Sequence, residues 1–297
     1  MTATVTWNGT LTATSSIAHG GQTRGTITLL RRELIVQPDG RLVHVPIISG
    51  NSLRGRLRRI GEELLRDTLH YEGQLPLSAA HALRGGGALA KTSSAPLSGR
   101  RLADLRALIP QVGVFGCAGG GRIVDGCLQT GKVVPYLAET AHILPGTHPR
   151  LPAFDATQVE TYIRGDDTSA HAFTDALTTD QVRVDPTGQP RLDELETATC
   201  DTALLMLYRV ETFPAGTRFG TWLRLDRATN LEVAFFTDVL TVFTCHGRLG
   251  GRAAIGHGQV RTDLTRTVLA GQVVDVNWRT HLLEHRDAAL TALQALS

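Results

Sequence analysis

The chain has 297 residues, 42% of them hydrophobic and 20% charged, and a formal net charge of +2. This balance predicts a globular protein that can bury a core, and it excludes a strongly basic or acidic surface overall. Of the 30 cationic residues only Lys91 and Lys132 are lysines, so the other 28 are arginines. The planar arginine fork suits phosphate and stacks on bases, although a GC-rich genome would produce the same bias. Any argument for nucleic-acid binding therefore depends on local clusters.

Cysteine spacing and the N-terminus narrow the class further. Cys117, Cys127, Cys200 and Cys245 form no C-x-x-C pair and no zinc spacing, so we expect reduced thiols. The N-terminus lacks the basic start and apolar run of a signal peptide. No stretch approaches the ~18 consecutive apolar residues of a membrane span. The sequence predicts a soluble, cytoplasmic protein without a metal, a cofactor or a membrane contact.

The first third of the chain is predicted to be mostly strands. Alternating apolar and polar residues at 4–14 indicate a half-buried strand. Residues 15–25 are polar and read as a loop. Segments 26–36 and 42–48 then indicate two strands joined by a turn at 37–40.

A helix follows this hairpin and is the strongest local signal in the sequence. Leu53, Leu57, Ile60 and Leu64 recur at helical spacing, which predicts an amphipathic helix ending near residue 70. We expect either Asn51 or Ser52 to be its N-cap.

The same helix start is rich in arginine, with no acid between residues 51 and 59. The free amides and dipole of a helix N-terminus attract anions, and arginines beside them predict a phosphate-binding site. The alternative is a solvated helix start whose arginines pair with Glu62 and Glu63. These residues alone leave the two interpretations open.

The remaining segments complete an α+β pattern. Residues 72–110 look like an insertion, and the glycine-dense stretch 112–136 returns to strand character. Residues 138–191 read as an irregular excursion, before strands resume at 203–226. The chain is then predicted to form a helix at 231–244, a glycine-rich loop leading into a strand, and a closing helix at 279–296. This order favours an antiparallel sheet with helices on one face over a doubly wound sheet.

Two enzyme-like motifs fail on inspection. The string from Gly126 to Lys132 resembles a P-loop, but Val133 stands where that motif needs Ser or Thr to hold magnesium. His281 and His285 match an inverted zinc-protease signature, but no third ligand follows them. No G-x-S-x-G elbow is present. We therefore predict that the protein is not an enzyme.

Four glycine-rich segments occur in a telling order. They are IISGNSLRG at 47–55, VFGCAGGGRI at 114–123, ETFPAGTRF at 211–219 and LGGRAAIGHG at 249–258. Each string alone is common, but together they resemble segments of the CRISPR-associated RAMP superfamily. The resemblance is to the backbone subunit that polymerises along the guide RNA in type III and type IV effectors.

This resemblance implies an architecture and a set of partners. The expected fold is one RRM-like domain over residues 1–297, with a finger inserted at about 72–110 and a thumb at about 138–201. The expected partners are guide RNA, a complementary target nucleic acid, copies of the chain in a head-to-tail helical filament, and other effector subunits. The thumb would kink the guide by wedging between bases.

Sequence-independent RNA binding uses amides and arginine forks on the backbone. On that basis the predicted RNA contacts are His19, Arg24, Asn51, Ser52, Arg54, Arg58, Arg122, Arg183, Arg248, Arg252 and His257.

Cleavage is the point at which the sequence departs from part of the family. Type III members cut target RNA with an aspartate in the loop after the first strand, and residues 15–25 contain none. This favours a non-cutting, type IV-like subunit. The alternative is a metal-dependent endoribonuclease of the same superfamily that uses Glu33 or Asp39. A third possibility is a monomeric α+β module that binds a small ligand.

Overall fold

The computed structural model describes residues 2–87, 99–119, 122–144, 146, 148–164 and 206–294. Arg183 and most of the predicted thumb lie outside these residues. The strands are β1 (Thr2–Ala13), β2 (Gly20–Arg24), β3 (Ile27–Leu30), β4 (Arg32–Val36), β5 (Leu42–Pro46), β6 (Cys117–Gly119), β7 (Arg122–Val124), β8 (Leu128–Thr130), β9 (Val134–Pro135), β10 (Gln158–Arg164), β11 (Met206–Thr212), β12 (Arg218–Thr229) and β13 (Val260–Ala270). The helices are α1 (Gly50–Leu69), α2 (Leu77–Gly85), α3 (Gly99–Leu108), α4 (Pro110–Phe115), α5 (Asn230–His246), α6 (Trp278–Glu284) and α7 (Arg286–Gln294).

The central sheet, which we call the palm sheet, has the strand order β13-β1-β12-β8, and β9 also pairs with β12. All of these pairings are antiparallel. With α1 after β1 and α5 after β12, the chain follows the β-α-β-β-α-β order of the ferredoxin-like fold. The predicted α+β class, with an antiparallel RRM-like palm, is confirmed.

Helices α1 and α5 cover one face of the palm sheet. Odd-numbered β1 residues such as Val5, Trp7 and Leu11 point into the core, because side chains alternate across a strand. Helix α5 supplies Phe235 and Phe236, both buried against this layer. The opposite face of the sheet carries the even-numbered positions.

Helix α1 forms where its apolar spacing predicts, with two differences in detail. Leu53, Leu57 and Ile60 are buried as expected, but the stripe continues through Leu65 and Leu69 rather than the half-buried Leu64. The N-cap is Ser49, not Asn51 or Ser52, because the Ser49 side chain accepts from the Ser52 amide.

A second sheet lies beside the palm, in the order β10-β11-β3-β2. Its β11–β3 pair is parallel, and β10–β11 and β2–β3 are antiparallel. The segment predicted as one strand at 26–36 is divided at Arg31, since β3 joins this sheet and β4 pairs with β5 instead. The predicted loop 15–25 contains β2. Both expectations were wrong in this respect.

Two further predictions need correction. Residues 112–115 belong to helix α4 rather than to a strand. The closing helix predicted at 279–296 is broken at His285 into α6 and α7. None of the described helices is long and apolar enough to cross a bilayer.

Candidate nucleic-acid interface

A cavity of about 480 Å³ opens at the N-terminus of α1. We call it the α1 pocket. It is lined by Arg31, Glu33, Ser49, Gly50, Asn51, Arg54, Leu128, Gln129, Thr130 and Lys132. It therefore collects groups from the β3–β4 junction, the first turn of α1, and strand β8 with the loop after it.

The first turn of α1 offers backbone donors to this pocket. The Ser52 amide is capped by Ser49, and the Ser49 amide donates to His19 Nε2 at 3.2 Å. Within the described residues, the amides of Gly50 and Asn51 have no hydrogen-bond acceptor. A 20-residue helix also directs its dipole at this point. An anion is the ligand such a helix start favours.

Two cations flank the helix start. Arg31 is exposed between β3 and β4, and the Lys132 side chain is 56% exposed. The Lys132 ammonium pairs with Glu33, a partly screened surface contact worth little in itself. Sequence reasoning missed both Arg31 and Lys132. Lys132 could have been noticed as one of only two lysines in the chain, but it ends the segment from Gly126 that was rejected as a P-loop.

The position of Arg31 is set by Glu211, a buried acid on β11 in the second sheet. Glu211, only 5% exposed, accepts from the Leu30 amide at 2.8 Å and from the Arg32 guanidinium. Burial would raise the pKa of Glu211, but these bonds and one from Thr157 lower it. The clamp fixes residues 30 and 32 and so holds Arg31 at the rim.

The guanidinium groups of Arg54 and Arg58 bond to backbone carbonyls, although Arg54 also lines the α1 pocket. Arg54 donates to the carbonyls of Leu128 and Phe115, the latter at 2.8 Å. Arg58 donates to the carbonyls of Phe115 and Gly116. These bonds hold the end of α4 against α1. The phosphate role predicted for the two arginines stays a prediction, with part of each guanidinium already engaged.

His19 and Arg24 lie on the same side of the molecule as the pocket. The pKa of His19 is lowered by burial and by the nearby Arg31 guanidinium. Arg24 is exposed and lines an adjoining cavity of about 590 Å³ that also shares Arg31. Arg31 thus lines both cavities, one with Arg24 and the other with Lys132.

The glycine-rich segment 248–258, which we call the C-terminal loop, is built differently. His257 is 2% exposed, and both its ring nitrogens have partners: Nδ1 lies 2.9 Å from Ser16 Oγ, and Nε2 contacts the Tyr162 hydroxyl. Tyr162 also donates to Glu160 at 2.8 Å. His257 therefore connects strand β10 to the end of β1 and is closed to solvent.

Glu160 anchors this network. Burial would raise its pKa, but hydrogen bonds from Ser16, Thr212, Tyr162 and Gln158 lower the pKa to about 2. The same neighbourhood raises the pKa of Tyr162 to about 12, through burial first and then the Glu160 carboxylate. At neutral pH the pair is a carboxylate accepting from a neutral phenol.

Arg252 lies over two stacked tyrosines. The rings of Tyr162 and Tyr208 are 5.3 Å apart at an interplanar angle of 16°, and the Arg252 guanidinium carbon is 4.9 Å from the Tyr208 centroid. Arg248 is exposed and donates to the Ala253 carbonyl at 2.9 Å. These contacts stiffen the loop and leave Arg248 open to solvent on its outer side.

A short link brings the two regions together. Ser16 bonds to His257, the Ala18 carbonyl accepts from the Gly251 amide at 2.8 Å, and His19 bonds to Ser49. Residues 16–19 thus span from the C-terminal loop to the α1 pocket. The side chain of Arg122, on β7, is outside the described part of the structure, and so is Arg183.

The discounted enzyme motifs form no metal site in the described residues. The rings of His281 and His285 are tilted by 33° with centroids 4.5 Å apart at the α6–α7 junction. No group of three or more His, Cys, Asp or Glu side chains within the described ranges could hold a metal ion. Lys132, the last residue of the P-loop-like string, pairs with Glu33 as described above.

Comparison with known proteins identifies relatives of this chain. The family model of the RAMP superfamily matches residues 10–261. The chain is also similar to a chain in a solved structure described as "Type IV-B CRISPR Complex", with 33% identity and a TM-score of 0.63. That match covers 92% of this chain and 96% of the other. A search of curated proteins gives no match.

Proposed function

The chain belongs to the RAMP superfamily, and from this membership we propose that it is a non-catalytic backbone subunit of a CRISPR ribonucleoprotein effector. In this role it coats the spacer part of a guide RNA and presents it to a complementary target nucleic acid. The similarity to a chain of a type IV-B CRISPR complex supports the effector assignment and the presence of other subunits.

The α1 pocket is the observation that carries RNA binding. In one cavity it combines Arg31 and Lys132 with the backbone amides of Gly50 and Asn51, which have no acceptor in the described structure. Amides and cations recognise phosphate without reading bases, which suits a protein whose guide sequence varies. We assign the guide backbone to this pocket, with His19, Arg24 and Ser52 beside it.

In this role the protein does not cleave target RNA, and the pairing of two acids with cations supports this. Glu33 is paired with Lys132 at the pocket, and Asp39 lies in an exposed turn where Arg41 pairs with it. Incubating the assembled complex with labelled complementary RNA and magnesium is the test. Intact target is expected; a ladder that disappears in Glu33→Gln or Asp39→Asn would establish the endoribonuclease alternative.

We further propose one palm with a finger at about 72–110, a thumb at about 138–201, and head-to-tail assembly into a filament. A protein that binds one stretch of RNA and the next copy forms an open, heterologous array. Its copy number should rise in steps as the guide is lengthened. A constant mass across guide lengths would contradict the filament.

The direct test of RNA binding is Lys132→Ala measured across a salt series on two unrelated guides. Removing one phosphate contact should weaken both guides alike and reduce the salt slope by about 0.7. Arg41→Ala is the control, since it removes an exposed cation that is also paired with an acid, from the β4–β5 turn. Equal affinity and slope for both variants and the parent chain would remove the pocket from the interface.

A further inference from the structure

We propose that Trp222, on the face of the palm sheet opposite α1 and α5, stacks an unpaired base of the strand whose phosphate occupies the α1 pocket. This inference rests on the proposed function and deepens it. It adds a base-contacting residue to a site so far composed of backbone-binding groups.

Trp222 is the exposed member of three tryptophans. Trp7 and Trp278 are 5% and 2% exposed, whereas Trp222 is 44% exposed. It lies on β12, between β1 and β8, and is directly opposite Asn8 of β1. Helices α1 and α5 cover the other face, so the indole projects from the opposite side of the sheet. Tyr136 and Leu144 approach Gly220 on that side but leave Trp222 exposed. Aromatic side chains on the sheet are what RRM-type folds use to stack bases.

The backbone supports one face of the indole. A β-carbon built on Gly131 would lie 2.7, 2.8 and 2.9 Å from Nε1, Cδ1 and Cε2 of Trp222. Three ring atoms at nearly equal distance mean that Gly131 lies under the ring face and not at its edge. The Gly131 amide also donates to the Trp222 carbonyl at 2.8 Å. The ring is therefore fixed in place, which lowers the entropy cost of stacking on it.

Gly131 also contacts the α1 pocket. A β-carbon built on Gly50 would lie 3.0 Å from the carbonyl oxygens of Gly131 and Thr130. Thr130 and Lys132, the residues on either side of Gly131, line the pocket. One glycine thus separates the proposed phosphate site from the proposed stacking site. A strand leaving the pocket over this edge of the sheet reaches Trp222 next.

The neighbours of Trp222 fit a nucleotide better than a protein surface. Asn8 lies opposite it, and Arg224, with Gln129 beside it on β8, is next on the same face. Arg224 Nε is buried and has no partner among the described residues. A protein interface favours a contiguous apolar patch, whereas a base offers an apolar face with polar edges and a phosphate nearby.

The experiment uses the intrinsic fluorescence of the full chain. A short single-stranded RNA is titrated in parallel with an abasic oligomer of the same length, and binding is followed separately by anisotropy. The RNA should quench the exposed tryptophan, while the abasic oligomer binds without quenching. Trp222→Ala should weaken RNA binding by roughly 5–150-fold, the range for one lost stack, and leave the affinity for the abasic oligomer unchanged. Trp222→Phe should retain most of the affinity, and Leu283→Ala, which removes an exposed apolar side chain from α6, is the control.

Two results would overturn the inference while leaving the proposed function intact. One is tight RNA binding with unchanged fluorescence and a Trp222→Ala variant that binds like the parent. The other is a Trp222→Ala variant with normal RNA affinity but smaller assemblies, which would make this face a contact between copies. If the parent chain binds neither oligomer, the proposed function fails, and this inference fails with it.

Discussion

The α1 pocket and the C-terminal loop differ in how they use their polar groups. In the pocket, the amides of Gly50 and Asn51 have no acceptor in the described structure, and Arg31 and Lys132 face solvent. In the loop, His257 is buried with both ring nitrogens bonded, and Arg252 lies over Tyr208. A ligand site needs unsatisfied groups. The pocket has them, and most of the loop acts as its support.

The strongest test of this difference is His257→Ala. Removing a buried side chain that joins Ser16 and Tyr162 should lower the free energy of unfolding by about 2–3 kcal/mol. Arg31→Ala, at an exposed pocket position, should change it by less than about 0.5 kcal/mol and weaken RNA binding instead. Chemical denaturation and anisotropy on both variants separate the two effects. A stable His257→Ala protein that has lost RNA affinity would reverse the comparison.

The second test concerns an arginine of α1 itself. Arg58→Met should cost about 1.5–3 kcal/mol of stability, because it removes charged hydrogen bonds to the Phe115 and Gly116 carbonyls. The exposed neighbour Arg59 provides the control, as Arg59→Met should have little effect on unfolding. If Arg58→Met keeps its stability but flattens the salt dependence of RNA binding, Arg58 is a phosphate contact after all.

The dependence of stability on acid pH tests the network that Glu160 forms beside the C-terminal loop. The fold lowers the pKa of Glu160 from 4.5 to about 2. Its contribution to the free energy of unfolding is therefore complete above a pH of about 4.5 and is lost as the pH falls through about 2. Glu160→Gln should flatten this part of the stability profile, by an amount reduced by its partial exposure. The free energy of unfolding, measured at several pH values, gives the comparison. Parallel profiles for both proteins would exclude this role for Glu160.

The smallest effect is expected at the pocket, in a different pH range. The fold lowers the pKa of His19 from 6.5, because of burial first and Arg31 second. Its contribution to stability is present above pH 6.5 and declines below that pH, because protonation of the ring breaks the hydrogen bond from the Ser49 amide. His19→Gln should remove this mild dependence. Bound RNA should reduce this loss of stability, because a phosphate favours the protonated ring. A parent protein whose free energy of unfolding does not change between pH 7 and 5.5 would contradict the prediction.

Much of the palm could be predicted from the sequence because burial there is periodic. Alternation located β1, and the spacing of Leu53, Leu57 and Ile60 located α1. The division at Arg31 could not be predicted, since no glycine or proline marks it. It depends on Glu211, which is 181 positions from Leu30 and clamps its amide.

The pocket was predicted only in part for a related reason. Asn51 and Arg54 were found because they share a helix start, but Arg31 and Lys132 reach it through pairing of distant segments. Nothing local shows that Arg54 and Arg58 turn toward the carbonyl of Phe115. Sequence patterns report which face of a helix is buried, but not the partner of each long side chain.

The scarcity of lysine turns one of these residues into a reporter. Besides Lys91 and the N-terminal amine, Lys132 is the only acylatable amine in the chain. An amine-reactive label followed by peptide mass spectrometry would therefore read the occupancy of the pocket at a single site. Protection of Lys132 in a native particle, and its return after nuclease digestion, would footprint the guide without any substitution.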